Sequence, residues 1–361
     1  MVSFQPSEEQ QLIRDTVASF AAEQIRPAAH EADETGAVPS ALVQQAWELG
    51  LVQSTIPEAF GGAGEAISAV SGGLVAEELA WGDLSIAMHL LAPRLLLYPV
   101  ILFGTPEQQQ QILPAFGSPD FRAATAAVME PRFGFDLAEL GTTARRKNGT
   151  YTITGNKCFV PLGGSAEQIL AYARDEDGRV GAYLINKGAA GVARVEREQN
   201  MGLKALETDE IDFSDCAVPA AARIAGDFPA LMNRSRVALA AMAVGVARAA
   251  FEYARDYAKD RKAFGVAIAQ KQAIAFMLAE MATEIDAARL LTWEAAWVID
   301  RGQDATREAV LAQRYAANMV MKVTDNAVQV LGGHGYIREH PVELWARNGR
   351  GFATFEGMAI V

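Results

Sequence analysis

Glu356 lies in Gly351-Phe352-Ala353-Thr354-Phe355-Glu356-Gly357. A carboxylate wedged among aromatic and small residues loses solvation, and its pKa and basicity rise. That is how a general base for a carbon acid is made. The same segment also suits an exposed loop glutamate. A second cluster, Arg255, Lys259, Arg261 and Lys262, crowds the end of a long helical run just before Phe264-Gly265. These cations either complement a helix C-terminus or form an anion site beside an aromatic platform. A third, Gly332-Gly333-His334-Gly335, closes another run. A C-cap needs one glycine, so the extra ones point to backbone brought close to a ligand. His334 alone reads as structural.

Other chemistries are excluded. Gly62-Ala63-Gly64 lacks the third glycine and the preceding strand of a dinucleotide loop, and no phosphate-binding Gly-Lys-Ser or Gly-x-Ser-x-Gly elbow occurs. Two cysteines, Cys158 and Cys216, and four histidines give neither a disulfide framework nor metal-ligand spacing. The 361 residues carry 32 Lys and Arg against 44 Asp and Glu, a net charge of −12, which argues against nucleic acid as a partner. At 50% hydrophobic and 21% charged the composition is that of an ordinary globular protein. The opening MVSFQPSEEQQLIRD lacks a basic-then-apolar leader. The longest apolar stretches read as broken by charge or proline before the ~18 residues of a membrane span. The expectation is a cytoplasmic protein with no membrane partner.

The elements that must position these residues fall into three blocks. The first, residues 1–121, is helical. Ser7 and Gln10 form a capping-box pattern, and Ile13, Val17, Ala21 and Ile25 repeat at four-residue spacing. Further helices are expected from Pro39-Ser40 to about Leu49, over 66–80 and 84–103, and from Thr105-Pro106-Glu107. The second block, 122–226, has short β-prone runs between the turn pairs Asn148-Gly149, Gly155-Asn156 and Asp177-Gly178, which predicts an antiparallel β-domain. The third, 227–361, has long helical runs over 233–262, 269–301 and 305–331, which predicts an antiparallel helix bundle. The fold class is α+β, mainly α.

Taken together, this order resembles the acyl-CoA dehydrogenase family. The segments that carry the resemblance are Arg261-Lys262-Ala263-Phe264-Gly265, Gln329-Val330-Leu331-Gly332-Gly333-His334-Gly335-Tyr336, Pro341-Val342-Glu343 and Phe355-Glu356-Gly357. Glu130-Pro131-Arg132-Phe133-Gly134-Phe135-Asp136 matches the family's Thr-Glu-Pro-x-x-Gly-Ser-Asp in part. The resemblance implies an FAD enzyme that takes the α-proton and β-hydride of an acyl-CoA thioester, with Glu356 as the base. The family's other base position falls on Ser235, which cannot serve. The resemblance also implies substrate contacts at Arg236 and Gly357. The Glu356 backbone N–H is the implied donor to the enolate-like oxygen. It further implies an electron-transfer flavoprotein as acceptor and an oligomer, a homotetramer or a heterotetramer with a related subunit.

In the family one FAD is shared between two subunits. The residues implied to hold the adenosine half across the interface are present: Arg261, Phe264, Gln329 and Gly333. Those implied to hold the flavin ring and pyrophosphate within the subunit are replaced. Met129, Phe135, Pro161 and Met358 stand where the family has hydroxyl residues, Phe159 where it has Trp, and Leu162 where it has Asn. Each lost hydrogen bond is worth roughly 1 kcal/mol. Two readings follow. One is an active dehydrogenase with an unusual flavin pocket, and the other is a half-site or non-catalytic subunit lending contacts to a partner's flavin.

Overall fold

The computed structural model describes residues 5–361; part of the leader reading, residues 1–4, lies outside them. Ser7 Oγ accepts the Gln10 N–H at 3.2 Å while Gln10 Oε1 accepts the Ser7 N–H at 3.0 Å. This capping box starts α1 (Glu8–Phe20), which runs through a π-helical turn into α2 (Arg26–Thr35). Helices α3 (Ser40–Glu48), α4 (Ala69–Gly82), α5 (Leu84–Leu91), α6 (Arg94–Phe103) and α7 (Pro106–Ile112) complete the first block. The helix expected over 84–103 is thus divided at Ala92-Pro93, where the proline lacks the N–H that a continuous helix would use. By length and composition, Leu84–Phe103 and the later helix Phe228–Asp260 both meet the requirement for a membrane span, contrary to the sequence expectation. In each, 78% of the most apolar window is buried inside the fold, as in a core helix.

The middle block is one twisted sheet. Its strands are β1 (Ala124–Ala127), β2 (Thr143–Lys147), β3 (Thr150–Pro161), β4 (Gln168–Arg174), β5 (Val180–Asn186), β6 (Val192–Arg197), β7 (Thr208–Pro219) and β8 (Arg223–Ile224). They lie in the order β6-β7-β3-β2-β4-β5-β8, and β1 pairs β4 in parallel. Most pairings are antiparallel, as expected; β1–β4 and a single β2–β4 pair are not. Asn148 (φ 50°) and Gly149 (φ 78°) make the predicted β2–β3 turn. Gly155-Asn156 does not turn. Strand β3 continues through it, with a register shift between Ile153 and Gly155. A Cβ on Gly155 would sit 2.6 Å from Thr142 Cα, so close packing rather than chain reversal demands the glycine.

The last block holds α8 (Phe228–Asp260), α9 (Gln272–Asp300), α10 (Thr306–Leu331) and α11 (Val342–Gly349). Helices α8, α9 and α10 pack on one another, and α8 also packs on α4. Gly245 permits that approach, since a Cβ there would meet Glu77 O at 2.2 Å. Arg248 on α8 and Arg289 on α9 both pair with the buried Glu77 of α4, at 3.2 and 3.0 Å. The first and third blocks therefore share a core, closed over the sheet by Phe355, Met358 and Met129.

Candidate active site

Glu356 follows α11 and a short 3₁₀ turn over Arg350–Ala353. Its neighbour Gly357 has φ 67°, and a Cβ there would sit 2.6 Å from Val128 Cβ. Only glycine lets this loop lie against the end of β1. Glu356 is largely enclosed, and its Oε2 is buried with no hydrogen-bond partner. Burial is the main influence and pushes its carboxyl above the ordinary glutamate value, with Asp136 adding to the rise. Arg236, Gln313 and Arg314 act in the opposite sense without reversing it. Gln313 also donates to Phe355 O at 3.1 Å and so anchors the loop. Arg236 stands on α8 at the end of a cavity of about 670 Å³, lined also by Leu137, Arg179, Phe228 and Met232. That volume falls within the ~300–1,000 Å³ typical of small-molecule sites. Arg236 links the two features: it lines the cleft, and its charge acts on the desolvated Glu356 carboxyl. Ser235, one residue away, is buried with an unpartnered Oγ and adds no base.

Next to Glu356, Val128, Met129 and Glu130 continue from β1. Lys157 Nζ donates to Val128 O at 2.8 Å and to Glu130 Oε1 at 3.0 Å. Burial alone would raise Glu130, but Lys157 and the N–H groups of Thr142 and Gly141 outweigh it and hold the carboxyl below its ordinary value. Burial lowers Lys157 to about 8. Between these groups Met129 Sδ accepts the Glu356 N–H at 3.4 Å.

The residues aligned with the family's ring contacts gather here in part. Phe159 sits at a break in the β3–β7 register with φ 50°, its N–H held by Glu198 Oε1 at 2.9 Å. A bulky residue in this left-handed region is an outlier that the surroundings must enforce. Its ring lies 6.3 Å from that of Phe355, and both line a cavity of about 170 Å³. Met129 and Met358 are buried beside them, and Phe135 is half-buried. Pro161 is buried at the end of β3, paired with Thr208. The slot offers aromatic faces and a thioether. The same cavity is also lined by Asn200, Arg347, Asn348, Arg350 and Thr354, which bring polar side chains to it.

The residues expected to hold the adenosine half lie elsewhere: of these, Arg261 and Gly333 line a separate cavity of about 340 Å³ with Tyr257, Gly332 and His334, and Phe264 and Gln329 do not. Gly332 ends α10 with φ 58° and ψ −130°. A Cβ on Gly333 would meet nothing within 4 Å, so its backbone is open to a ligand. Gly335 is different, since a Cβ there would collide with Val328 O at 2.4 Å. Arg255 and Lys259 both pair with Asp256, at 2.8 and 3.5 Å, while Arg261 has no such partner among the described residues and borders the cavity. Phe264 and Gly265 form a two-residue turn between Lys262–Ala263 and Val266–Ala267, with φ 53° and 82°. The turn thrusts the Phe264 ring into solvent at 95% exposure. Gln329 is exposed in the last turn of α10. These features fit an anionic ligand with an aromatic base. The structure does not bring this set onto the cavity lined by Arg236 within one chain, as the cavities share no lining residue.

Sequence reasoning missed Gln313, Arg314 and Asp136 around the base, and Asn233, whose side chain accepts from Arg236. Asp136 ends the Glu130–Asp136 motif but was not read as a neighbour of Glu356; Gln313, Arg314 and Asn233 belong to no spaced motif, and no local signal marks them.

Comparison with known proteins agrees with this architecture. Residues 7–119, 125–216 and 228–359 match the profiles "Acyl-CoA dehydrogenase, N-terminal domain", "middle domain" and "C-terminal domain". An acyl-CoA dehydrogenase of Bacillus subtilis is 35% identical over 362 residues, covering 97% of this chain and 95% of the relative. The solved butyryl-CoA dehydrogenase from Megasphaera elsdenii superposes with a TM-score of 0.88 at 30% identity, covering 98% of this chain and 96% of the other. A structure described as the FAD complex of PigA superposes with a TM-score of 0.90 at 25% identity, covering 98% and 95%. The chain belongs to the acyl-CoA dehydrogenase family of FAD-dependent oxidoreductases acting on acyl-CoA.

Proposed function

We propose that this chain converts an acyl-CoA thioester to the trans-2-enoyl-CoA, with Glu356 as the base that removes the α-proton. The observation that carries this reading is the buried Glu356 Oε2 with no hydrogen-bond partner, its carboxyl under the influence of Arg236, which itself lines a cleft of about 670 Å³. A thioester α-proton is weakly acidic, so a desolvated carboxylate must act together with a donor to the enolate-like oxygen. The Glu356 N–H is that donor, and it becomes available when the thioester oxygen displaces Met129 Sδ. Arg236 and Gly357 shape the acyl end of the cleft. Bound FAD supplies the hydride acceptor. Arg261, Phe264, Gln329 and Gly333 of a second subunit would hold its adenosine half, and Met129, Phe135, Phe159, Pro161 and Met358 would border its ring half. An electron-transfer flavoprotein is the proposed acceptor from the reduced enzyme. A tetramer is proposed because the two contact sets occupy separate faces. Exposed Phe276, Leu290 and Trp297 on α9 offer apolar surface for it. Anaerobic mixing of the purified holoenzyme with acyl-CoA should bleach the flavin, with an acidic limb above the usual glutamate range. A holoenzyme that no acyl-CoA bleaches at any pH defeats the reading.

One observation favours the half-site alternative: Met129 Sδ already occupies the Glu356 N–H. In that reading the chain lends Arg261, Phe264, Gln329 and Gly333 to the flavin of a complete homologue. The chain purified alone would then be colourless, and co-expression with a complete family member would restore about one flavin per pair. Stoichiometric FAD retained on dialysis by the homomer rejects the half-site reading.

A further inference from the structure

Arg236 and Glu356 carry opposite charges and influence one another, yet they form no ion pair within 4 Å among the described residues. Each also has an unsatisfied buried atom, Nε on Arg236 and Oε2 on Glu356. Two such groups gain by closing on each other unless something holds them apart. The guanidinium is instead engaged on its own helix. Arg236 Nη1 donates to Asn233 Oδ1 at 3.1 Å, and Asn233 Nδ2 donates to Thr306 Oγ1 at 2.9 Å. Thr306 Oγ1 in turn donates to Asp304 Oδ1 at 2.6 Å, and the Thr306 N–H reaches the same oxygen at 3.0 Å. The direction of this chain is chemically determined. The single hydroxyl proton of Thr306 goes to Asp304, so toward Asn233 the hydroxyl can only accept. The Asn233 amide must therefore present its nitrogen to Thr306 and its oxygen to Arg236. Asn233 is only 4% exposed, so no water replaces these bonds cheaply.

We infer that Asn233 is a positioning residue that holds Arg236 back from Glu356, with Thr306 and Asp304 fixing its amide. The inference rests on the reading of Glu356 as the base. The charged and polar groups facing Glu356 are Arg236 from α8, Gln313 and Arg314 from α10, and Asp136 from the loop after β1. Of these, Arg236 has the largest effect after burial, and it is the one the tether controls. Released, the guanidinium closes on the carboxylate, which then gives up its proton more readily and is a weaker base.

The test reads Glu356 directly. In protein labelled with ¹³C at the glutamate carboxyls, the Glu356 signal is assigned by its loss in Glu356→Gln and titrated in the full-length protein. In Asn233→Leu its midpoint should fall by roughly one pH unit, and the acidic limb of flavin reduction should move with it. Thr306→Val, which breaks the tether one bond further out, should shift the midpoint the same way by less, and Thr306→Ser should restore it. A Glu356 midpoint unchanged in a folded Asn233→Leu overturns the inference. If that variant does not fold, an unchanged midpoint in Thr306→Val does so. Failure of the base assignment shows separately, as full flavin reduction in Glu356→Gln, and leaves the carboxyl titration readable.

Discussion

Glu130 and Glu356 are both enclosed carboxylates, bridged by one short stretch of chain. Glu130 accepts N–H groups from Gly141 and Thr142 at 2.7 and 2.8 Å and pairs with Lys157, so its proton is held weakly. Glu356 keeps one oxygen with no partner, and its proton is held tightly. Enclosure is common to the two; the number of donors aimed at each carboxylate decides its chemistry. Glu130 joins β1 to β3 with its charge fully partnered, whereas Glu356 keeps basicity that no group in the fold satisfies, as the proposed base requires. A third case, Asp83, lies between them. It caps α5 by accepting the Ile86 N–H at 2.9 Å, but burial still pushes its carboxyl up to about 6.

Substitutions sharpen or break this contrast. The largest effect is expected at the base. Glu356→Gln should slow flavin reduction by acyl-CoA by about 10²–10⁴ in anaerobic stopped flow. The same change should raise the melting temperature, because it removes a carboxylate that is costly to ionise in place. Unimpaired reduction would break the comparison at its centre. Next is the paired carboxylate. Lys157→Met leaves Glu130 with only the part-exposed Arg132, Nε at 3.4 Å, as its cation, and should lower unfolding stability by up to about 3 kcal/mol in denaturant titration. Adding Glu130→Gln should recover part of that loss, and a Lys157→Met protein of native stability would show that the pair is not the anchor.

Asp83 tests the intermediate case through pH. Its folded pKa is above the ordinary 3.8, so the folded state binds the proton more tightly than the unfolded chain. Stability from this group therefore falls as pH rises from about 4 to about 6 and stays low above that. Asp83→Asn keeps a good N-cap and should add up to roughly 3 kcal/mol at pH 7 and nothing near pH 3. Equal effects at both pH values would contradict the assignment. The smallest effect concerns the slot between the two glutamates. Met129→Thr removes the thioether from the Glu356 N–H and restores a hydroxyl, which should tighten FAD about tenfold by equilibrium dialysis. Weaker binding would mean that Met129 supports the flavin ring rather than displacing it.

Much of this architecture follows from short-range sequence signals. Ser7 and Gln10 start α1, Asn148-Gly149 turns β2 into β3, and the repeat of apolar residues marks the long helices, because caps, two-residue turns and helical faces depend on residues a few positions apart. The Gly332-Gly333 pair and Arg261 were legible for the same reason, and so was Glu356 among Phe and Gly. The same local rules misread Gly155, whose missing Cβ answers to Thr142 on another strand, and the 84–103 run, which Pro93 divides. Tertiary structure alone decided that Glu356 and not Glu130 keeps an unpartnered carboxylate oxygen, that Met129 Sδ reaches the Glu356 N–H, and that Thr306 and Asn233 engage Arg236. These facts depend on which groups from distant parts of the chain replace water around a charge, and spacing along the sequence does not specify that.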